Sequence, residues 1–226
     1  MRIITVSRQF GSGGRELGKR LADILDWDYY DKEIIEMLAQ EHGLEEEYVR
    51  DILSNHGSHH VPLTYRNSFS HLMPQSFLRT GILVRQREIL QEIAKTGHDC
   101  VIVGRDADVI LQDENPFRLF ICADMEARLQ RTMAYEMRRP ENERLTEKEV
   151  RRNIRRIDRN RIRTREILTG RSGRNGSTFD LTVNVAGRNL PALAQALADF
   201  SLRWFEDADE TKTGKQTGKM KEKQEN

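Results

Sequence analysis

The sequence predicts an α/β fold with a central parallel sheet, and three observations carry that prediction. Short, largely apolar runs such as Cys100–Val103 and Phe117–Cys122 have the near-continuous hydrophobicity of strands covered on both faces. Segments with apolar residues at helical spacing separate these runs, which implies strand–helix–strand units with right-handed crossovers. At the N-terminus an apolar strand from Ile3 runs into a glycine-dense turn and then into a helix.

Each element follows in order from its local pattern. Residues Arg15 to Leu25 carry Leu17, Leu21, Ala22, Ile24 and Leu25, the stripe of an amphipathic helix. Asp26 to Tyr30 reads as a turn and short strand, after which Asp31 caps a helix through Ile34, Ile35 and Leu38. A further helix is predicted from Leu44 to Leu53. The stretch from Ser54 to Ser76 lacks clean periodicity and carries His56, His59, His60 and His71, which reads as a solvated insertion rather than a metal site. Phe77 to Ala94 is a strong helical pattern, with Ile82, Leu83, Ile89, Leu90 and Ile93 on one side. The strand Cys100–Val103 ends at Gly104-Arg105-Asp106, and a turn or helix follows to Leu111. Beyond the strand Phe117–Cys122, helices are predicted from Met125 to Met137 and from Glu147 to Glu166. Phe179–Val185 is the last strand, and Leu190 to Trp204 the closing helix. From about Glu206 the composition is polar and predicts a disordered tail.

Composition bounds the function. The 226 residues suit one domain with elaborations. Charged residues make up 32% of the chain, yet the net charge is only +1, so no overall field favours nucleic acid or an anionic membrane. Any attraction for anions is local. Cys100 and Cys122 lack metal-ligand spacing and read as small core residues in a reduced compartment. No run approaches a membrane span and no leader opens the chain, so the expected location is the cytoplasm.

The chemistry concentrates at strand ends. In the turn after the first strand, Gly11, Ser12, Gly13 and Gly14 allow backbone N–H groups to converge on an anion, and the following helix dipole adds to the attraction. A standard phosphate loop continues with Lys and then Ser or Thr, whereas here Gly14, Arg15 and Glu16 follow Gly13. The cationic role falls to Arg15 or Arg8, and a hydroxyl for a metal to Ser7 or Ser12. Ligands of parallel sheets sit at the carboxyl ends of the strands, which brings Gly104-Arg105-Asp106 to the same edge as the loop. Between Arg151 and Arg165 lie eight arginines. Like charges repel along a helix, and planar guanidinium forks suit phosphate oxygens.

With these residues in place, the chain resembles the nucleoside monophosphate kinases, and within them the cytidylate kinase-like group. Ser7-Arg8-Gln9, Gly11-Ser12-Gly13-Gly14, Gly104-Arg105-Asp106, Glu126-Ala127-Arg128 through Arg131, and Asp158-Arg159-Asn160-Arg161 carry the likeness. The resemblance implies a P-loop NTPase-like three-layer fold over residues 1–205, with an acceptor-binding insertion at about 40–76, a helical lid at about 138–175, and the tail at 206–226. It implies transfer of the ATP γ-phosphoryl group to a nucleoside monophosphate, CMP or dCMP. Ser7, Arg8, Gly11, Ser12, Gly13, Gly14 and Arg15 would hold ATP, which brings Mg²⁺. Asp31, Arg79, Gly104, Arg105 and Asp106 would hold the acceptor, and Arg15, Arg155, Asp158, Arg159 and Arg161 would surround the reacting phosphates. The absent lysine leaves open a second reading, a nucleotide-binding sensor or interaction module that has lost the reaction. Nucleic acid and membrane are not expected partners.

Overall fold

A computed structural model describes residues 1–31, 75–170 and 178–222. The elements in chain order are β1 (Ile3–Arg8), α1 (Gly14–Leu25), β2 (Asp28–Tyr30), α2 (Gln75–Lys95), β3 (Cys100–Val103), α3 (Ala107–Ile110), β4 (Phe117–Cys122), α4 (Met125–Glu136), α5 (Glu147–Thr169), β5 (Leu181–Asn184) and α6 (Leu190–Glu222). The five strands form one parallel sheet in the order β2-β3-β1-β4-β5.

Alternation along the strands sets the layers. Ile4, Val6, Val101 and Val103 face α1 and α6, where they meet Leu17, Leu21, Ala194 and Leu197. Their neighbours Ile3, Cys100 and Ile102 face α2 and α3, against Ile89, Leu90 and Ile110. Both faces are therefore dry, which is why these strands lack polar alternation. A smaller cluster of Leu129, Val150 and Ile154 joins α4 to α5, with Phe10 packed against it.

The short helices expected after Asp31 and from Leu44, the His-bearing stretch and the bulk of the expected insertion at 40–76 lie outside the described residues. So does the end of the expected lid, from 171 to 175. One boundary is corrected. The sequence predicts a disordered tail from 206, but α6 continues to Glu222. The segment has no proline and is rich in Lys and Glu, both good helix formers. It extends a helix already nucleated on the sheet, so only propagation is needed.

Among the described residues no helix is long and apolar enough to cross a membrane.

Candidate active site

The turn between β1 and α1 is anchored to the end of β4. Gln9 ties it to the β4 end: its N–H donates to the Ile121 carbonyl at 2.9 Å, and its side-chain oxygen accepts from the Ala123 N–H at 3.0 Å. The Ser12 hydroxyl donates to the Gln9 carbonyl at 2.9 Å, closing the turn. Gly13 stands at φ 88°, left-handed backbone that a side chain resists. It begins α1 with no side-chain cap. The first-turn amides of a helix have no acceptor within it, so this end presents N–H groups and positive dipole to an anion.

Setting Gly13 at the second glycine of the usual phosphate loop puts Gly14 where the lysine would stand. A Cβ at Gly14 would lie 2.7 Å from Arg8 Cβ. The lysine position is thus closed by the Arg8 side chain. Arg8 leaves the end of β1 and crosses to β3, where its Nη1 fills the space a Cβ on Gly104 would need, 1.3 Å away. It ends near Asp31, with Nη2 3.8 Å from Oδ1.

Asp31, 2% exposed, is the hub of this corner. Arg15 Nε donates to its other oxygen. Arg15 is therefore not extended over the glycine turn; most of its side chain is exposed and its head is tied to the β2 end. Of the two cations the sequence offers in place of lysine, Arg8 is the one buried against the strand ends. Burial lowers its pKa, with Asp31 pulling the other way. Burial likewise opposes the charge on Arg15, but Asp31 outweighs it and the pKa rises. Tyr29 is pushed up to about 12 by burial and the Asp31 charge.

The third guanidinium comes from the β3 end. Gly104, Arg105 and Asp106 all have positive φ, at 79°, 59° and 50°. Two side-chain-bearing residues in that region carry strain of order 1–3 kcal/mol each. The buried Gln86 amide, on α2, braces the run by donating to the Arg105 carbonyl at 2.6 Å. Burial and the neighbouring Arg8 bring Arg105 down to about 10, and its Nε is buried with no hydrogen-bond partner. Burial and the Asp108 charge raise Asp106 to about 6. Arg8 and Arg15 thus meet at the buried Asp31, with Arg105 near enough to Arg8 for the two cations to repel.

Both serine hydroxyls give their protons to protein acceptors and keep lone pairs that can still face a cation. Ser12 closes the turn, and the Ser7 hydroxyl donates to Asp108 Oδ1 at 3.2 Å. Asp108 pairs at 2.6 Å with Arg165, which also lies 3.8 Å from Asp106. Among the described residues no group of three His, Cys, Asp or Glu side chains is placed to hold a metal.

Helix α5 divides the arginine run. The 3.6-residue period puts Val150, Ile154, Asp158, Arg161 and Arg165 on the side that packs inward. Asp158 accepts from the Phe10 N–H at 2.8 Å and from Arg128 Nη1 at 2.5 Å, so it serves the loop rather than standing open as an acid or base. Arg161 donates to the Arg8 carbonyl at 3.1 Å and lies over the Phe10 ring. Arg155 and Arg159 sit on the opposite, exposed side with Arg152 and Arg163, and the structure does not bring them to the loop. The side chain of Arg79 lies outside the described residues.

Sequence reasoning passed over Gln86, Asp108, Arg128 and Arg165 as site supports. Gln86 had a signal, being polar on the same helix stripe as Ile82, Ile89 and Ile93. The other three are revealed only by partners distant in sequence.

A glycine turn at the edge of a parallel sheet, joined to a cationic corner and an arginine helix, defines a P-loop kinase fold. Solved structures share it: an uncharacterized protein from Eubacterium ventriosum (21% identical, TM-score 0.62, covering 89% of this chain and 98% of that one) and the shikimate kinase of Bacteroides thetaiotaomicron (15%, 0.53, 88% and 97%). Shikimate kinase from Acinetobacter baumannii, in complex with shikimate, is similar at 15% identity and TM-score 0.50, over 90% of this chain and 94% of that one. No curated protein matches the sequence. Residues 3–186 match the cytidylate kinase-like family, and the chain belongs to it.

Proposed function

We propose that this protein transfers the γ-phosphoryl group of ATP to a nucleoside monophosphate, CMP or dCMP. The observation that carries the reading is the pairing of two anion-seeking surfaces at one sheet edge. Amides at the start of α1 face the donor side, and on the acceptor side Arg8 and Arg15 meet at the buried Asp31, with Arg105 close to Arg8. Phosphoryl transfer between two phosphates needs little covalent help from the protein. It needs two mutually repelling anions held in line and the charge on the moving group neutralised.

In this reading Ser7 and the amides from Gly11 to Arg15 receive the donor phosphates, while the Arg8 head, lying at Gly104 and Asp31, serves the acceptor side. Asp31 orients Arg8 and Arg15, Arg79 and Arg105 hold the acceptor phosphate, and Gly104 and Asp106 shape the nucleoside pocket. Arg161 neutralises the transferred group, assisted by Arg165 through Asp106. Mg²⁺ bound with ATP would supply positive charge to the phosphate oxygens, and Ser7 and Ser12, whose hydroxyl oxygens keep lone pairs, are the side chains that would face it.

A coupled assay for ADP formation with MgATP and each of the four common nucleoside monophosphates tests the reading. ADP production that depends on CMP or dCMP is the expected result. Binding of MgATP and CMP without ADP production would favour the sensor, for which the absent lysine is the supporting observation.

A further inference from the structure

The segment entering the glycine turn is held by side chains from the two helices beyond β4. Phe10 is gripped on both sides: its N–H donates to Asp158 Oδ1 at 2.8 Å, and its carbonyl accepts from Arg128 Nη1 at 3.4 Å. The Arg8 carbonyl accepts from Arg161 Nη1 at 3.1 Å. Arg128 and Asp158 pair with each other at 2.5 Å, with side chains only 7% and 15% exposed. The Phe10 ring packs against the Leu129, Val150 and Ile154 cluster that joins α4 to α5.

Stability alone gives this pair little reason to exist. Two buried charges cost desolvation that an apolar pair of similar volume avoids. Beyond their mutual bond, Asp158 accepts from the Phe10 N–H and Arg128 donates to the Phe10 carbonyl, with Arg128 Nε left buried and unpartnered and Arg161 3.9 Å from Asp158, so what the pair specifies is where Phe10 lies. That position matters because the next residues are conformationally free: Gly11 and Gly13 both adopt positive φ, at 77° and 88°. Free amides bind an anion well only when their convergence is fixed beforehand.

We propose that the Arg128–Asp158 ion pair is a positioning device that fixes Phe10, and through it the direction of the amides from Gly11 to Arg15, coupling α5 to the phosphate turn. The inference deepens the kinase reading and rests on it for the ligand. Asp158 then acts on phosphate through the loop, not by touching it. Loss of the clamp loosens donor binding first.

The test is amide hydrogen exchange together with nucleotide binding, in two variants of the full chain. Asp158→Ala leaves Arg128 buried and unpaired and risks misfolding, so Arg128→Met with Asp158→Ala removes both charges at once. The expected result in each folded variant is exchange at residues 10–16 faster by roughly tenfold or more, the scale of a lost charged hydrogen bond. Strand Cys100–Val103 should exchange as in the wild type. Dissociation constants for MgATP and for inorganic tripolyphosphate should rise by a similar factor, with the KM for CMP moving much less. Unchanged exchange across residues 10–16 in the folded double variant would overturn the proposal, as would equal acceleration throughout the sheet. If the wild type bound neither MgATP nor tripolyphosphate, the kinase reading would fail, and the exchange comparison would still decide whether the clamp fixes the loop.

Discussion

The two sides of α5 carry the same residue type and do different work. On the inner side Arg161 and Arg165 are drawn into contact with the Arg8 carbonyl, Asp106 and Asp108. On the outer side Arg152, Arg155, Arg159 and Arg163 are exposed. A helix turns 100° per residue, so a dense run of arginines necessarily points in every direction. What selects the working ones is the burial phase set by Val150 and Ile154, which are 1% and 0% exposed. Arginine density marks the helix; the apolar stripe marks the side.

The sharpest way to break this contrast is Arg161→Ala. Removing a guanidinium that neutralises a transferring phosphoryl group costs on the order of 10³-fold in kcat. The chain should remain folded, because Arg161 is not part of the apolar cluster that attaches α5. Steady-state kinetics beside a far-UV melt check both statements, and unchanged kcat would remove Arg161 from the site.

Next in size is Arg8→Met on the acceptor side. Truncating one partner of a buried charge pair costs about 2–5 kcal/mol, so catalytic efficiency toward CMP should fall roughly a hundredfold. Arg15→Met should do less, because its side chain is 62% exposed and water screens its pairing with Asp31. Equal losses in the two variants would show that burial does not distinguish them.

A smaller, pH-dependent effect comes from Asp106. Its carboxyl, held at about 6 by burial and by Asp108 against the pull of Arg165, Arg8 and Arg161, titrates near 3.8 when exposed. The native state therefore holds this proton more tightly than the unfolded state. The Asp106 contribution to stability should fall as pH rises from about 4 to about 6, by roughly 3 kcal/mol, and level off above. Denaturant melts across that range check the sign, and Asp106→Asn should flatten the slope.

How much of this was legible in the sequence follows from how far apart the partners lie. Strand Cys100–Val103 was readable to the residue because a doubly covered strand writes its burial as one continuous apolar run, and Phe117–Cys122 from its apolar residues although its burial alternates around Arg118 and Phe120. The glycine turn was readable because its backbone demand falls on adjacent residues. Asp158 was identifiable as a site residue but not as a clamp, since its partner amide on Phe10 is 148 positions away. On paper Arg15 stood ahead of Arg8 for the lysine's place. Only the packing of β3 against β1 shows that one is driven across Gly104 while the other turns to Asp31. The run from Glu206 to Glu222 misled because polar composition describes both a disordered tail and the far end of a long helix.

The smallest effect is the one that tests the contrast most directly. Arg155→Ala and Arg159→Ala, singly or together, remove guanidinium groups from a helix side where like charges lie one turn apart and repel by a few tenths of a kcal/mol. Each should leave kcat and both KM values within about twofold, and the double variant should melt no lower than the wild type, since surface changes of this kind stay within about 0.5 kcal/mol. A loss of kcat approaching that of Arg161→Ala would mean that α5 turns or tilts during turnover, bringing its outer arginines to the phosphates. The two sides would then differ only in the unliganded state, and the burial phase of Val150 and Ile154 would describe a resting position instead of a division of labour.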